Sequence, residues 1–424
     1  MGTDRFVFRK KDFIYICISL LLFFQIYLQN IFGMFQYLDE IVTVYCLGVI
    51  VLKGLKGGLE KKNFSLLMII LLITVVGVAS NITAGVQTGW KPILSDIGNT
   101  FKVFIVYLGA KTILTEKNDK EKIIRTLAIF VKIFVWIAFA FMILHELHIV
   151  SMGNDVRHGL RSFQFVNHGA GQLSLMFYFI MTILMLNMKN KFRGGQDKLS
   201  LSMIAALILW ISTLRSRAFM YSTILVLLHW KVVKKQEKFR LSIGNIFATL
   251  IVLCFFAADQ FETYFSNTAT ARSNFLRYGI YTMQRYFPLG SGFATYGTDS
   301  AVKYYSKLYV EYGFKDVYGL NPSNPMFAHD TYWPAIMAQF GVVGLIAMII
   351  LIWKLCMDMM RRTNGDRYSH WIILFVCITQ VTSSIATATF FHFVTVSLFF
   401  IIPLAFSNEE EEKNNENTYF ENNS

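Results

Sequence analysis

Arginines are the residues of this chain best suited to holding a charged ligand. Arg215 and Arg217 stand two apart in the segment LRSRAFMYS, between two apolar stretches, and Arg161 precedes another apolar stretch. A guanidinium presents a planar fork of N–H donors that holds two phosphate oxygens at once, whereas a lysine ammonium acts as a point charge. The pattern favours a phosphate site. Anchoring of lipid headgroups by Arg215 and Arg217 is the alternative.

His329 and Asp330 end a long polar segment and stand directly before an apolar run. Asp330 can cap the helix expected there, and the positive end of that helix dipole would stabilise a nearby anion. Because an unperturbed histidine titrates near pH ~6.5, His329 suits proton transfer. A histidine at a helix start is more often structural, so the functional interpretation depends on the neighbouring pattern.

Membrane helices must position these residues. The 424-residue chain is 54% hydrophobic and 16% aromatic, and its repeated apolar runs of about 18 residues or more are long enough to cross a bilayer. The first run is too long for a signal-peptide core, so we expect it to remain as a span. The prediction is an all-α integral membrane protein with about twelve transmembrane helices, at residues 13–32, 37–53, 64–80, 92–110, 124–144, 168–187, 199–214, 217–233, 242–258, 331–355, 369–388 and 390–406.

Positive charge predicts the orientation of these spans. Most of the 40 lysines and arginines fall in alternate connecting segments, such as KGLKGGLEKK and KVVKKQEKFR. Short loops rich in lysine and arginine stay in the cytoplasm, so both termini are predicted to be cytoplasmic and the longest polar loop external. The net charge of +13 then reflects topology, and nucleic acid is not an expected partner.

Four regions follow from this pattern. Residues 1–258 hold the first nine spans, residues 259–330 form one large extracytoplasmic loop with short amphipathic helices, and residues 331–406 hold the last three spans. Residues 407–424 are acidic and have little to bury, so we expect a disordered cytoplasmic tail.

The external loop has equal numbers of acidic and basic residues, so it is not a general trap for anions. Its segment SNFLRYGIYTMQRYF places Leu276, Ile280 and Phe287 on one helical face, with Arg277 and Tyr281 on another. We expect this helix to lie along the membrane surface. Half of the 20 tyrosines lie in the loop, where their rings suit either sugars or a bilayer interface.

Nothing in the sequence predicts a metal or a cofactor. The five cysteines fall inside apolar runs at irregular spacing, which is typical of packing residues. The run HELH at 145–148 has histidines three apart, whereas the zinc-binding HExxH motif places them four apart. We therefore expect a site that works without metal.

Four segments carry a more specific pattern. They are AHDTYWPAIMAQFGVVGL; LRSRAFM, with Ser216 and Arg217; ARSNFLRYGIYTMQRYFPLGSGF, with Arg272, Pro288, Gly290, Gly292 and Phe293; and LRSFQFVNHGAGQLSL, with Arg161, Phe165 and Asn167. Together they resemble motifs of the O-antigen ligase and Wzy-type polysaccharide polymerase superfamily. The resemblance covers roughly residues 150–350, and Asp330 departs from it because asparagine is more usual there.

The resemblance implies a GT-C-like glycosyltransferase of the bacterial cytoplasmic membrane. Such an enzyme takes a glycan from undecaprenyl diphosphate at the outer face and joins it to an acceptor hydroxyl, without a metal or other cofactor. The expected partners are the polyprenyl-linked oligosaccharide, an acceptor glycan, membrane lipids, a flippase and a chain-length regulator. The residues suit this chemistry, because the protein must mainly stabilise phosphate charge and accept a proton.

The resemblance also assigns roles to individual residues. Arg217 and Arg272 are the first choices for the donor diphosphate, and together with His329 they are the expected catalytic residues. Further donor contacts are expected from Arg161, Arg215 and Arg277, and acceptor or glycan contacts from His329, Asp330, Tyr281 and Tyr296.

Four functions stay open at this point. A polymerase joins repeat units and is favoured because the tyrosine-rich loop suits two long glycans, whereas a ligase would move the finished chain to lipid A core or to a protein. A polysaccharide-related transporter is an alternative of another class, since Asp96, Asn99 and Lys102 lie within a predicted span. A scaffold without enzymatic activity is the last alternative.

Overall fold

The chain folds almost entirely into helices. The computed structural model describes residues 9–58, 60–114, 117–157, 159–167, 169–191, 198–235, 270–328, 330–363 and 366–406. Its α-helices are α1 (Lys10–Ile31), α2 (Leu38–Leu55), α3 (Lys61–Ala84), α4 (Trp90–Ile113), α5 (Lys117–Glu146), α6 (Ala170–Lys191), α7 (Leu201–Ser212), α8 (Ser216–Leu228), α9 (Ala271–Arg285), α10 (Asp299–Lys303), α11 (Lys307–Glu311), α12 (Trp333–Arg361), α13 (Arg367–Ala386) and α14 (Phe393–Ile401).

Shorter elements connect or extend these helices. A π-helical stretch, His229–Lys234, continues α8, and 3₁₀ turns occur at Gly33–Tyr37, Phe314–Asp316, Thr389–Phe391 and Ile402–Ala405. One small hairpin pairs β1 (Val156–Arg157) with β2 (Leu160–Arg161) in antiparallel register.

Seven helices within the described residues are long and apolar enough to cross a membrane. They are Lys10–Ile31, Asn63–Ala84, Trp90–Ile113, Lys120–Glu146, Ala170–Asn190, Trp333–Arg361 and Arg367–Ala386, and two shorter apolar helices follow at Leu201–Ser212 and Phe393–Ala405. About 20 helical residues match the ~30 Å hydrocarbon core of a bilayer. These helices fit a multi-pass membrane protein. The predicted span 242–258 and the predicted tail 407–424 lie outside the described residues.

The helices meet at two ends that differ in character. At one end, which we call the loop end, residues 270–328 pack on the first turns of α4 and α12 and on the last turn of α3, and the start of α12 contacts the end of α13. There Asn81 Nδ2 donates to the Phe293 carbonyl over 3.0 Å, and Trp333 Nε1 donates to Ser384 Oγ over 3.1 Å.

The opposite end, which we call the basic end, gathers cations with their counter-charges. Lys111 Nζ lies 2.9 Å from Asp358 Oδ2, and both side chains are about 6% exposed. Lys189 Nζ lies 3.0 Å from Asp366 Oδ2 and donates to the Ala405 carbonyl. Buried charges are tolerated where they are paired in this way, so these contacts join α4, α6, α12 and α13 at this end.

The segment Pro288–Phe293 is wedged between helices. The Ser291 and Gly292 amides donate to the Ala338 and Gln339 carbonyls over 2.9 and 2.8 Å. A Cβ on Gly292, whose φ is +92°, would lie 2.5 Å from Asn81 Cγ. Only glycine allows so close an approach of two backbones. The glycines of this motif therefore serve packing between the loop and the bundle.

The predicted surface helix corresponds to α9, but its buried face differs from the prediction. Phe275, Gly279 and Thr282 are buried, whereas Ile280 is 37% and Phe287 70% exposed. A Cβ on Gly279 would lie 3.0 Å from the Pro334 carbonyl oxygen, so α9 packs directly on the start of α12. The apolar pattern alone was misleading because Gly279 and Thr282 fit the helix contact better than longer side chains would.

Several loop tyrosines form a small core of their own. Tyr296 and Tyr309 are fully buried with Phe275 and Phe314, and Tyr312 is nearly so. Tyr309 Oη accepts from the Gly297 amide over 2.7 Å. These tyrosines hold the loop together, an arrangement that neither the sugar nor the interface interpretation anticipated.

Candidate functional site

The hairpin of β1 and β2 positions Arg215. The chain from Ser151 to Asn167 folds back on the α7–α8 turn, where the Phe163 amide donates to the Ser212 carbonyl over 2.9 Å. Asp155 Oδ2 then accepts from Arg215 Nη2 at 3.0 Å and from Arg157 Nε at 3.2 Å. Arg215 is therefore held by a carboxylate of the protein.

Arg217 differs from Arg215 in making no ion pair with the described residues, although each guanidinium has one buried nitrogen without a hydrogen-bond partner there. It lies in the first turn of α8, and its Nη1 is buried without a hydrogen-bond partner among the described residues. A Cβ on Gly171, in the first turn of α6, would lie 4.0 Å from Arg217 Nη2. Two helix N-termini thus meet beside this guanidinium, and their dipoles favour a negative charge there.

A chain of contacts connects Arg217 with the long loop. Arg217 acts electrostatically on Tyr221, whose Oη lies 3.2 Å from Thr382 Oγ1 near the end of α13. Two residues further on, Ser384 accepts from Trp333 at the start of α12. The predicted arginine turn and the loop-to-helix junction therefore border the same end of α13.

Arg272 is held at this junction by an acidic residue. Its Nε donates to Asp330 Oδ2 over 2.9 Å, and its Nη2 contacts the same oxygen. Both side chains are about a quarter to a third exposed, at 26% and 30%. A phosphate that used this fork would have to replace the Asp330 carboxylate. His329, the predicted proton acceptor, lies outside the described residues.

The other predicted site residues differ in how exposed their side chains are. Arg161, on β2, and Arg277, on α9, are exposed, and Tyr281 is 49% exposed. Tyr296 is 0% exposed and its hydroxyl donates to the Phe275 carbonyl over 2.8 Å. The assignment of Tyr296 to glycan binding is therefore wrong for this structure, because its side chain is enclosed in the core of the loop.

Two of the three polar residues of α4 that suggested transport, Asp96 and Lys102, contact other parts of the protein. Asp96 is fully buried and its Oδ2 accepts from the Ala294 amide over 2.6 Å. Lys102 Nζ lies 2.7 Å from Asp39 Oδ2 on α2, and both are buried. Asp96 therefore fixes the loop to the bundle, and Lys102 joins two helices, so neither residue by itself requires a transport pathway.

Two features of the site were missed at the level of sequence. Asp155, eight residues before Phe163, was not singled out, although it decides which arginine is paired. The hydroxyl groups of Tyr178 and Tyr221 were also missed, because single tyrosines within apolar runs are ordinarily packing residues. Only the tertiary structure, which brings residues that are remote in sequence close together, distinguishes these two tyrosines from packing residues.

The described residues contain no group of three or more histidine, cysteine or acidic side chains that could hold a metal ion. His145 of the HELH run is buried, and its Nδ1 accepts from the Met152 amide over 3.0 Å. This contact gives His145 a role in shaping the turn before the hairpin.

Comparison with known proteins found no matching family model and no matching curated protein.

Proposed function

We propose that this chain is a metal-independent glycosyltransferase of the bacterial cytoplasmic membrane, and specifically a polysaccharide repeat-unit polymerase. Its donor would be a glycan on undecaprenyl diphosphate, and its acceptor a sugar hydroxyl at the outer face. The proposal includes the twelve-span topology, with cytoplasmic termini and an extracytoplasmic loop. Capsule, exopolysaccharide and O-antigen are the product classes that this reaction serves.

The observation that carries the proposal is the state of Arg217. Its Nη1 is buried and, within the described part of the chain, lacks a hydrogen-bond partner. Buried polar groups are nearly always satisfied, so this nitrogen is available to an acceptor from outside the described residues, whether water, an ion or a ligand. A diphosphate oxygen suits a guanidinium flanked by two helix N-termini.

The chemistry required of the protein is modest. The bond between the glycan C1 and the diphosphate oxygen breaks with its electron pair on the diphosphate, while the acceptor oxygen bonds to C1 and gives up its proton. Arg217 would stabilise the charge that develops on the leaving diphosphate. Arg272 would add a second contact after Asp330 is displaced, and His329 would take the proton from the acceptor.

A reconstituted assay tests the reaction. The purified protein is placed in vesicles with a polyprenyl-diphosphate-linked repeat unit, and the lipid-linked products are separated by gel. We expect ladders that grow by one repeat unit, and we expect Arg217→Ala and His329→Ala to abolish them at unchanged protein level. Ladders that persist in both variants would contradict the catalytic account.

A deletion strain distinguishes the polymerase from the ligase. Loss of the polymerase should leave single repeat units on the carrier and on any acceptor. Long chains stranded on the carrier would contradict the polymerase and favour a ligase that uses lipid A core or protein.

A further inference from the structure

Two buried tyrosines lie within electrostatic range of the guanidinium of Arg217. Tyr178, on α6, is 2% exposed and Tyr221, on α8, is 1% exposed, and their ring centroids are 5.7 Å apart. Arg217 acts electrostatically on both hydroxyls. An arginine, two tyrosines and two helix N-termini therefore share one small region of the loop end.

The hydroxyl of Tyr221 has a partner on α13. Thr382 Oγ1 lies 3.2 Å from Tyr221 Oη and 2.6 Å from the Ile378 carbonyl. The Thr382 hydroxyl is the donor in both contacts, so the Tyr221 oxygen accepts from α13. This contact fixes the ring of Tyr221 against α13.

The hydroxyl of Tyr178 is different. It lies near Ser383 and Tyr221, yet its Oη has no hydrogen-bond partner of good geometry within the described ranges. A buried tyrosine hydroxyl normally finds a partner. Tyr178 and Arg217 thus present two unsatisfied donors to the same region, and an oxyanion would satisfy both.

We propose that Tyr178 is a donor-binding residue whose hydroxyl completes, with Arg217, a subsite for one phosphate group of a polyprenyl diphosphate. This inference rests on the proposed function for its ligand. Tyr178 keeps its proton during the reaction and only donates a hydrogen bond to a phosphate oxygen. As the bond from C1 to the diphosphate breaks, the added negative charge strengthens that hydrogen bond.

The test uses Tyr178→Phe, which removes only the hydroxyl. Tyr15→Phe is the matched control, because Tyr15 is equally buried but its hydroxyl donates to the Phe400 carbonyl, toward the basic end. For each variant of the purified full-length protein, the thermal unfolding temperature and the affinity for farnesyl diphosphate are measured. Farnesol, inorganic diphosphate and phosphatidylglycerol serve as comparison ligands.

Removing a hydroxyl that has no partner should not destabilise the ligand-free protein. We therefore expect Tyr178→Phe to keep or raise the unfolding temperature and to weaken farnesyl diphosphate binding by about tenfold or more. Farnesol and phosphatidylglycerol binding should be unchanged. Tyr15→Phe should lower the unfolding temperature and leave farnesyl diphosphate binding unchanged.

Two results would overturn the inference. A lower unfolding temperature with unchanged farnesyl diphosphate binding would make Tyr178 a packing residue, and an equal loss of phosphatidylglycerol binding would make the region an anchor for lipid headgroups. If farnesyl diphosphate binding depends on Tyr178 but no glycan ladder forms, the subsite stands and the proposed polymerase does not.

Discussion

The two ends of the helix bundle use charge in opposite ways. At the basic end, Lys111 and Asp358 are enclosed together, and Tyr107 Oη adds a 2.6 Å contact to the same carboxylate. At the loop end, Arg217 is partly enclosed, makes no ion pair with the described residues and keeps a buried N–H without a partner among them. A paired buried charge holds helices together, whereas an incompletely paired one is available to a ligand. We infer that the first end maintains the fold and the second performs the chemistry.

The largest expected effect is loss of stability at the basic end. Asp358→Ala leaves Lys111 buried with only the more distant Glu60 carboxylate, 3.7 Å away and half-exposed, so we expect it to destabilise the protein by about 3 to 5 kcal/mol. Unfolding of the purified protein, followed by heat or denaturant, measures this. The double variant Lys111→Met with Asp358→Leu should recover most of the loss. If the double variant is as unstable as Asp358→Ala, the ion pair is not the source of the effect.

The second effect separates the two neighbouring arginines of the loop end. Arg217→Ala should reduce glycan transfer by about a hundredfold or more, because a charged contact to the leaving diphosphate is lost. Arg215→Ala should reduce it by less than about tenfold, since Arg215 is paired with Asp155. Initial rates in vesicles measure both, and neither unfolding temperature should fall markedly. A reversed order would exchange the roles of the two residues.

A smaller effect concerns Asp366, which caps α13 at the basic end. Its carboxylate accepts from the Tyr368 and Ser369 amides, each over 3.2 Å. Burial would raise the pKa of Asp366, but the nearby Lys189 ammonium and the hydrogen bonds from Ser369 outweigh it and hold the pKa below its ordinary value.

A carboxylate whose pKa is lowered by folding stabilises the protein at pH values above its unfolded pKa, near ~3.9. This stabilisation is lost as the pH falls through the folded pKa. Asp366→Asn should therefore cost about 1 kcal/mol at pH ~7 and nothing additional below pH ~3. Unfolding temperatures across this range measure the difference. A constant difference at all pH values would mean that the charge of Asp366 is not involved.

The smallest expected effect concerns the pairing of Arg272 with Asp330 at the loop end. Asp330→Asn removes the carboxylate that Arg272 contacts, so farnesyl diphosphate should bind several-fold more tightly, while stability changes by less than about 1 kcal/mol. Glu311→Gln is the matched control, because Glu311 pairs with Arg285 elsewhere on the same loop. Weaker binding in Asp330→Asn would mean that Asp330 positions Arg272 for the ligand and does not compete with it.

Much of the helical framework was predictable from the sequence. The predicted span 92–110 lies within Trp90–Ile113, and the predicted span 369–388 corresponds to Arg367–Ala386. Long apolar runs predict such helices because a segment in lipid must satisfy its backbone internally. The count of twelve spans stays a prediction.

The arrangement of the candidate site was less predictable. Only the family resemblance ranked Arg217 ahead of Arg215, and in the structure the two differ because Asp155, 60 residues before Arg215, pairs with Arg215. The sequence placed Gly290 and Gly292 only in a motif that resembles a family, whereas the structure packs them on backbone atoms of α12 and on Asn81 of α3. Local sequence patterns do not predict such contacts, because the contacting segments are far apart in the chain.

The sequence by itself determined the class of protein, the helices and the set of arginines. These follow from hydrophobicity, charge placement and residue type, which act locally along the chain. Only the tertiary structure decided which charges are neutralised within the protein and which keep a free donor, because Lys111 and Asp358, or Arg272 and Asp330, meet through folding. It also enclosed Tyr296 in the loop core and brought Tyr178 within electrostatic range of Arg217, since burial depends on packing between distant segments.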